Sequence, residues 1–172
     1  MKPIIVLAMH GAPPQDYPRE ELNEFFGLHT RREHAGKLNP PNLEARYAEL
    51  EANIRTWPRT PENDPFFAGS KALAESLQAA SGNTVLLGFN EFCAPNLEEV
   101  LDEAARSGTN LVVVITPMMT RGGEHSEVDI PRAVHAAETR NPGVAFRYIW
   151  PLDLNEVAAF LSAQIERFLE RE

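Results

Sequence analysis

Two stretches of the chain, Ile4-Ile5-Val6-Leu7-Ala8-Met9 and Leu111-Val112-Val113-Val114-Ile115, are apolar at every position. Successive side chains of a strand point to opposite faces of a sheet, so a strand with one wet face alternates apolar and polar residues. An unbroken run reads instead as a strand covered on both faces, the situation of a parallel sheet with helices above and below. Thr84-Val85-Leu86-Leu87-Gly88-Phe89 is a weaker copy of the pattern. Val144-Ala145-Phe146-Arg147-Tyr148-Ile149 is mixed and reads as an edge strand.

Helical patterns fall between these runs. Leu97, Val100, Leu101, Ala104 and Ala105 form one stripe, with Asn96 as N-cap, Glu99 three residues on and Gly108 as the stop. A second segment carries Ile130, Val134 and Ala137 and ends near Asn141-Pro142-Gly143. A third follows Asp153 with Leu154, Val157, Ala158, Leu161, Ile165 and Phe168. Strand and helix alternate, which predicts a doubly wound α/β domain. The expectation is a mostly parallel four-stranded sheet in flavodoxin-like order, helices on both faces, in a single domain over 1–172. Residues 12–70 do not fit one crossover, and they hold eight of the 14 prolines. Leu43, Tyr47, Leu50, Ile54 and Trp57 make a stripe behind Asn42, and Phe66 to Ala80 suggests another helix. A structureless loop of that length is improbable, so the segment reads as an insertion of two or three short helices joined by proline turns.

Composition narrows the partners. A chain of 172 residues buries roughly 70% of its unfolded surface without disulfide or metal support. No apolar run approaches the roughly 20 residues that span a bilayer, and no signal peptide is visible. The single cysteine fits a reducing cytoplasm. A formal charge of −9 speaks against general nucleic-acid binding and against an anionic membrane surface.

In an open parallel sheet, ligands bind beyond the carboxyl ends of the strands, where strand order reverses. His10-Gly11 follows the first strand, Asn90-Glu91 the second, and Pro117 through Arg121-Gly122-Gly123-Glu124-His125 the third. Two imidazoles and a carboxylate on one rim suit a divalent first-row metal and leave positions open for water or substrate. Neutral imidazole also accepts a proton near neutral pH. Each residue has a plainer reading as a turn or solvated group, and it is their shared rim that favours the site. Gly122-Gly123 matches neither common nucleotide-loop pattern. His29 and His34 read as solvated, His135 as surface, Cys93 as a small core residue and Met118-Met119 as packing.

Met9-His10-Gly11, Asn96-Leu97-Glu98-Glu99-Val100-Leu101 and the segment from Leu111 through His125 to Asp129-Ile130-Pro131 resemble the small CbiX-type sirohydrochlorin chelatases of the class II tetrapyrrole chelatases. The resemblance covers residues 1–11 and about 83–170. It implies ATP-independent insertion of Co²⁺, Fe²⁺ or Ni²⁺ into sirohydrochlorin or a related tetrapyrrole, with no nucleotide, by a homodimer. It implies that His10 and His125 bind metal and assist deprotonation and that Glu91 is the site carboxylate. Three positions depart from the family pattern: Ala12 after His10-Gly11, Glu124 at a usual glycine, and Trp150-Pro151-Leu152-Asp153-Leu154 in place of a late histidine motif. Glu20 to Phe26 and Leu43–Trp57 look similar to the lip of protoporphyrin ferrochelatases, so Phe25, Phe26, Trp57, Phe66 and Phe67 are candidates for an apolar wall, with ordinary core as the rival reading. Tetrapyrroles carry several carboxylates, so an acidic chain needs a local positive rim. Arg121 in the Gly122-Gly123 loop is the first candidate, ahead of Arg132, Lys37, Arg31 or Arg32. A metal or tetrapyrrole carrier and a metal-dependent hydrolase use the same three ligands and stay open at this point.

Overall fold

The protein was analysed as a computed structural model that describes residues 2–38 and 40–171. Four strands, β1 (Ile4–Met9), β2 (Val85–Phe89), β3 (Leu111–Ile115) and β4 (Ala145–Ile149), form one sheet in the order β2-β1-β3-β4. Every pairing is parallel, with Ile5 opposite Val85, Ile4 opposite Val112 and Leu111 opposite Ala145. The two fully apolar runs are the central pair and the mixed run is an edge, as the patterning predicts. β1 and β3 are neighbours, so the ends of the first and third strands meet at the point where chain order reverses.

The alternation hidden in the apolar runs is a two-sided one. Val6, Ala8, Val112, Val114 and Phe146 face α4 (Leu97–Arg106) and α5 (Ile130–Arg140), which contribute Leu97, Val100, Leu101, Ile130, Val134 and Ala137. Leu7, Met9 and Phe89 face the other way, against Ala74 and Phe67 of α3 (Pro65–Ser81). α4 starts with the predicted capping box: Asn96 accepts from the Glu99 N–H at 2.8 Å, and the Glu99 carboxylate accepts from the Asn96 N–H. Gly88 lets it pack closely, since a Cβ there would lie 3.1 Å from Leu97 Cα and press on the helix.

The insertion differs from expectation in length and in allegiance. Its helices α1 (Arg19–Ala35), α2 (Pro41–Thr56) and α3 run 17, 16 and 17 residues and are not short. Prolines mark their starts: Pro18 caps α1, Pro41 opens α2 and Pro65 opens α3. Asn42 does not begin α2. Pro40 holds an extended conformation before Pro41, whose fixed φ suits the first helical turn. α3 belongs to the sheet, whereas α1 and α2 build a core of their own from Tyr17, Phe25, Leu28, Leu38, Tyr47, Leu50 and Ile54.

The final helix, α6 (Leu154–Leu169), carries the predicted stripe, yet none of its residues is buried. Leu154, Leu161, Ile165 and Phe168 stay exposed, as does Ile149 on β4. Among the described residues no helix is long and apolar enough to cross a membrane.

The insertion is tied to the sheet by Arg59. Its side chain is 5% exposed and paired with the buried Asp64 carboxylate, itself the N-cap of α3. It also donates to the carbonyls of Ala12 at 2.9 Å, Ile54 at 2.9 Å, and Phe92. Removing one partner of such a pair strands the other in low dielectric. Arg59→Met is therefore expected to lower unfolding free energy by about 3–5 kcal/mol, measured by urea denaturation.

Candidate metal centre

The rim is built by extending β1–β2 pairing past the strands. Asn90 N–H donates to Met9 O and Glu91 N–H to His10 O, each at 2.9 Å. This brings the two loops into backbone contact at Gly11. Its φ is +104°, and a Cβ would lie 1.9 Å from the Glu91 carbonyl oxygen, so only glycine fits. His10 Nδ1 sits 2.7 Å from the Gly11 carbonyl. A carbonyl only accepts, so Nδ1 carries the proton and Nε2 keeps its lone pair. Nε2 lies 3.8 Å from Glu91 Oε2.

His125 is set by a different device. Residues His125–Asp129 form a π-helical turn, in which the Ile130 N–H reaches the His125 carbonyl. Pro131 has no N–H to give the Glu127 carbonyl, which favours the wider turn before α5. Asp129 Oδ2 then lies 2.8 Å from His125 Nδ1, and Arg132 holds the other carboxylate oxygen. His125 thus also keeps its proton on Nδ1 and presents Nε2. The Tyr148 O–H donates to the Ser126 carbonyl at 3.0 Å and steadies the turn from β4. Burial, with help from Glu127, pushes this phenol up to about 12, so it remains a donor.

The three predicted ligands come together. The His10 and His125 rings stand perpendicular with centroids 4.3 Å apart. One ligand atom from each of His10, Glu91 and His125 lies within 4.8 Å of the others. A divalent ion that takes nitrogen and oxygen ligands at about 2.0–2.2 Å fits this spacing after a small side-chain rotation.

Aromatic surroundings differ from the predicted wall. Phe25 is buried in the α1–α2 core, Trp57 packs on Tyr17, and Phe67 stacks under the sheet on Phe89. Phe66 lies on α3, exposed. Phe26 alone of the five is both exposed and near the rim, 5.9 Å from Phe92. Phe92 stacks 6.1 Å from His10, and its φ of +57° is uncommon for a bulky residue. His29 is half-buried and not the fully solvated residue expected. It stacks on Phe25 and lies 3.0 Å from the Tyr47 hydroxyl, whose phenol burial pushes above its ordinary value. His34 and His135 are exposed, and burial pushes the Cys93 thiol up.

The glycine loop lies to one side of the three ligands. The Gly122 N–H, at φ +91°, donates to Glu127 Oε1 at 3.1 Å. A Cβ on Gly123 would sit 3.1 Å from Ser126 Oγ. Arg121 is exposed and lines an open cleft with Tyr148, Trp150 and Pro151. Sequence reasoning missed Asp129, Arg59 and Phe92 as site-forming residues. Asp129 had a signal, its place one helical turn after His125. Arg59 and Phe92 had none, because their roles depend on contacts distant in sequence.

Asp129→Asn is expected to weaken Co²⁺ binding by about 10–100-fold with little change in melting temperature, as read by calorimetric titration. Gly11→Ala is expected to lose binding and to cost about 2 kcal/mol or more of stability.

The sequence profile described as CbiX matches residues 68–167. Over 70 residues the chain is 37% identical to a sirohydrochlorin cobaltochelatase of Priestia megaterium, a stretch of 41% of this chain and 22% of that protein. It is 41% identical over 49 residues to a sirohydrochlorin cobaltochelatase of Methanopyrus kandleri, 28% of this chain and 34% of that one. The matched stretches therefore span about a fifth to a third of these curated relatives. The fold is similar to the crystal structure of a CbiX protein from Marinobacter aquaeolei VT8, with a TM-score of 0.52, 17% identity and coverage of 99% and 100% of the two chains. With a profile match over more than half its length, this chain belongs to the CbiX family.

Proposed function

We propose that the protein inserts a divalent metal, Co²⁺, Fe²⁺ or Ni²⁺, into sirohydrochlorin or a related tetrapyrrole without a nucleotide. The observation that carries this reading is the trio His10, Glu91 and His125 at the mouth of the sheet, with ligand atoms within 4.8 Å. Family membership and the cobaltochelatase relatives agree with it.

Insertion has two costs: the metal sheds water, and the macrocycle gives up two N–H protons for one M²⁺. The Nε2 atoms of His10 and His125 and the Glu91 carboxylate replace water ligands stepwise. The tie to the Gly11 carbonyl keeps His10 in the tautomer that can ligate or accept a proton at Nε2. Asp129 does the same for His125 and raises its basicity as a ligand. Glu91, partly exposed, passes protons on toward solvent. Phe26 and Phe92 supply the apolar edge against which the ring lies. Arg121 remains a candidate contact for ring carboxylates from the glycine-loop side. Holding ring and metal in one site supplies the proximity term.

Sirohydrochlorin mixed with Co²⁺ and followed by absorption tests the reading. The wild type is expected to exceed the metal-alone rate, and His10→Ala to fall by about 10²-fold or more. A wild-type rate equal to metal alone, for each of the three metals, removes the assignment for that ring.

We also propose a homodimer working in the cytoplasm. The exposed apolar side of α6, together with exposed Ile149, supports a second copy as the cover. Sedimentation of the wild type is expected to give twice the chain mass. Leu161→Glu combined with Ile165→Glu is expected to give the monomer, and a monomeric wild type at tens of micromolar would contradict this.

A further inference from the structure

We infer that the cleft between the α1–α2 pair and the N-terminal ends of α4 and α5 seats the peripheral carboxylates of the macrocycle, with Arg32 and Arg132 as the binding cations. This rests on the tetrapyrrole reading above and assigns residues that sequence reasoning ranked below Arg121.

The cleft has a volume of about 520 Å³, within the usual range for small-molecule sites. It shares Glu91 with the metal centre and Asp129 with the support of His125. A planar ring lying over the three ligands therefore projects part of its rim into it. Of the three arginines lining it, Arg55 is already used. It donates to the Cys93 carbonyl at 3.2 Å, the Asn90 carbonyl at 3.1 Å and Glu51 at 3.1 Å, so it builds the wall.

Arg32 and Arg132 are placed differently. The Arg32 guanidinium carbon lies over the Tyr47 ring, 4.9 Å from its centroid, with Nε 3.5 Å from Glu44. A cation–π contact of this kind restrains the side chain before a ligand arrives and reduces the ordering cost of binding. The Arg132 side chain is 73% exposed and engages Asp129 through Nη2. A guanidinium has five N–H donors, so both residues retain capacity for a carboxylate. Arg55 neutralises Glu51 and Arg132 neutralises Asp129, which lessens the acidic character of the lining. Glu91, which belongs to the metal centre, and Glu98 remain as opposing charges in the lining. Arg121 faces the separate cleft beside Trp150. A site so built favours rings whose edge carries carboxylates over rings whose edge is neutral.

The test titrates sirohydrochlorin and its peripheral methyl ester separately into the wild type, Arg32→Ala, Arg32→Lys and Glu98→Lys, and titrates Co²⁺ alone into each. Arg32→Ala is expected to weaken the free-acid ring about tenfold, the ester by less than twofold, and Co²⁺ not at all. Arg32→Lys should recover part of the loss. Glu98→Lys should tighten the acid and leave the ester unchanged, which keeps the test readable if Arg32→Ala does not fold. Acid binding that ignores Arg32→Ala or Glu98→Lys, or an equal loss of Co²⁺ affinity in Arg32→Ala, overturns the assignment. A wild type that inserts metal while these variants bind the ring normally sinks the cleft alone. A wild type that binds neither ring form sinks the chelatase reading and this inference with it.

Discussion

Arg59 and Asp64 form a buried ion pair where the insertion meets the sheet. The guanidinium gathers carbonyls from the loop after β1, the end of α2 and the loop after β2. Its surroundings include the Cys93 thiol, 3.9 Å from Asp64 and 3.7 Å from the Ala12 carbonyl. The loops it clamps are those that carry His10 and Glu91. Desolvating a charged pair is costly, and here four hydrogen-bonding partners offset it. The pair therefore gives the two loops one shared position, and the α1–α2 unit is anchored by the same group. Gly11 completes the arrangement by allowing the two backbones to touch.

The chemistry of the mouth follows from where protons are held. Both imidazoles direct Nδ1 to a fixed acceptor, a carbonyl for His10 and a carboxylate for His125. Both leave Nε2 free of these contacts, so an incoming metal would meet two preset donors and would not have to select a tautomer. The two acceptors are unequal. A carbonyl fixes orientation, while a carboxylate also stabilises positive charge on its ring. The two histidines would thus be chemically distinct partners of an ion held there. Beside this mouth, Arg55 and Arg132 balance Glu51 and Asp129 within an otherwise acidic chain.

Much of this was legible from residue patterns, for identifiable reasons. Short apolar runs without alternation, flanked by helical patterns, read as strands covered on two faces, so β1 and β3 and their parallel pairing followed. The capping box at Asn96 and Glu99 is a local interaction within four residues, so α4 followed as well. His10, Glu91 and His125 could be placed on one rim because strand ends in a parallel sheet share an edge. Less legible was everything that depends on a contact remote in sequence. Phe25 and Phe26 are adjacent, yet one is buried in the α1–α2 core and the other faces the rim. His29 has charged neighbours in sequence, which read as a solvated stretch, whereas across the helix pair it meets Tyr47.

From sequence alone came the strand order class, the covered sheet, the capping box that opens α4 and the residue types at the mouth, since these follow from side-chain period and from chain stereochemistry. Tertiary structure alone decided that Arg59 clamps two loops, that Asp129 and the π turn aim His125, that Arg32 lies over Tyr47, and that α6 stands uncovered. Each of these depends on the distance and angle between groups brought together by the fold, and neither quantity is written in the order of the residues.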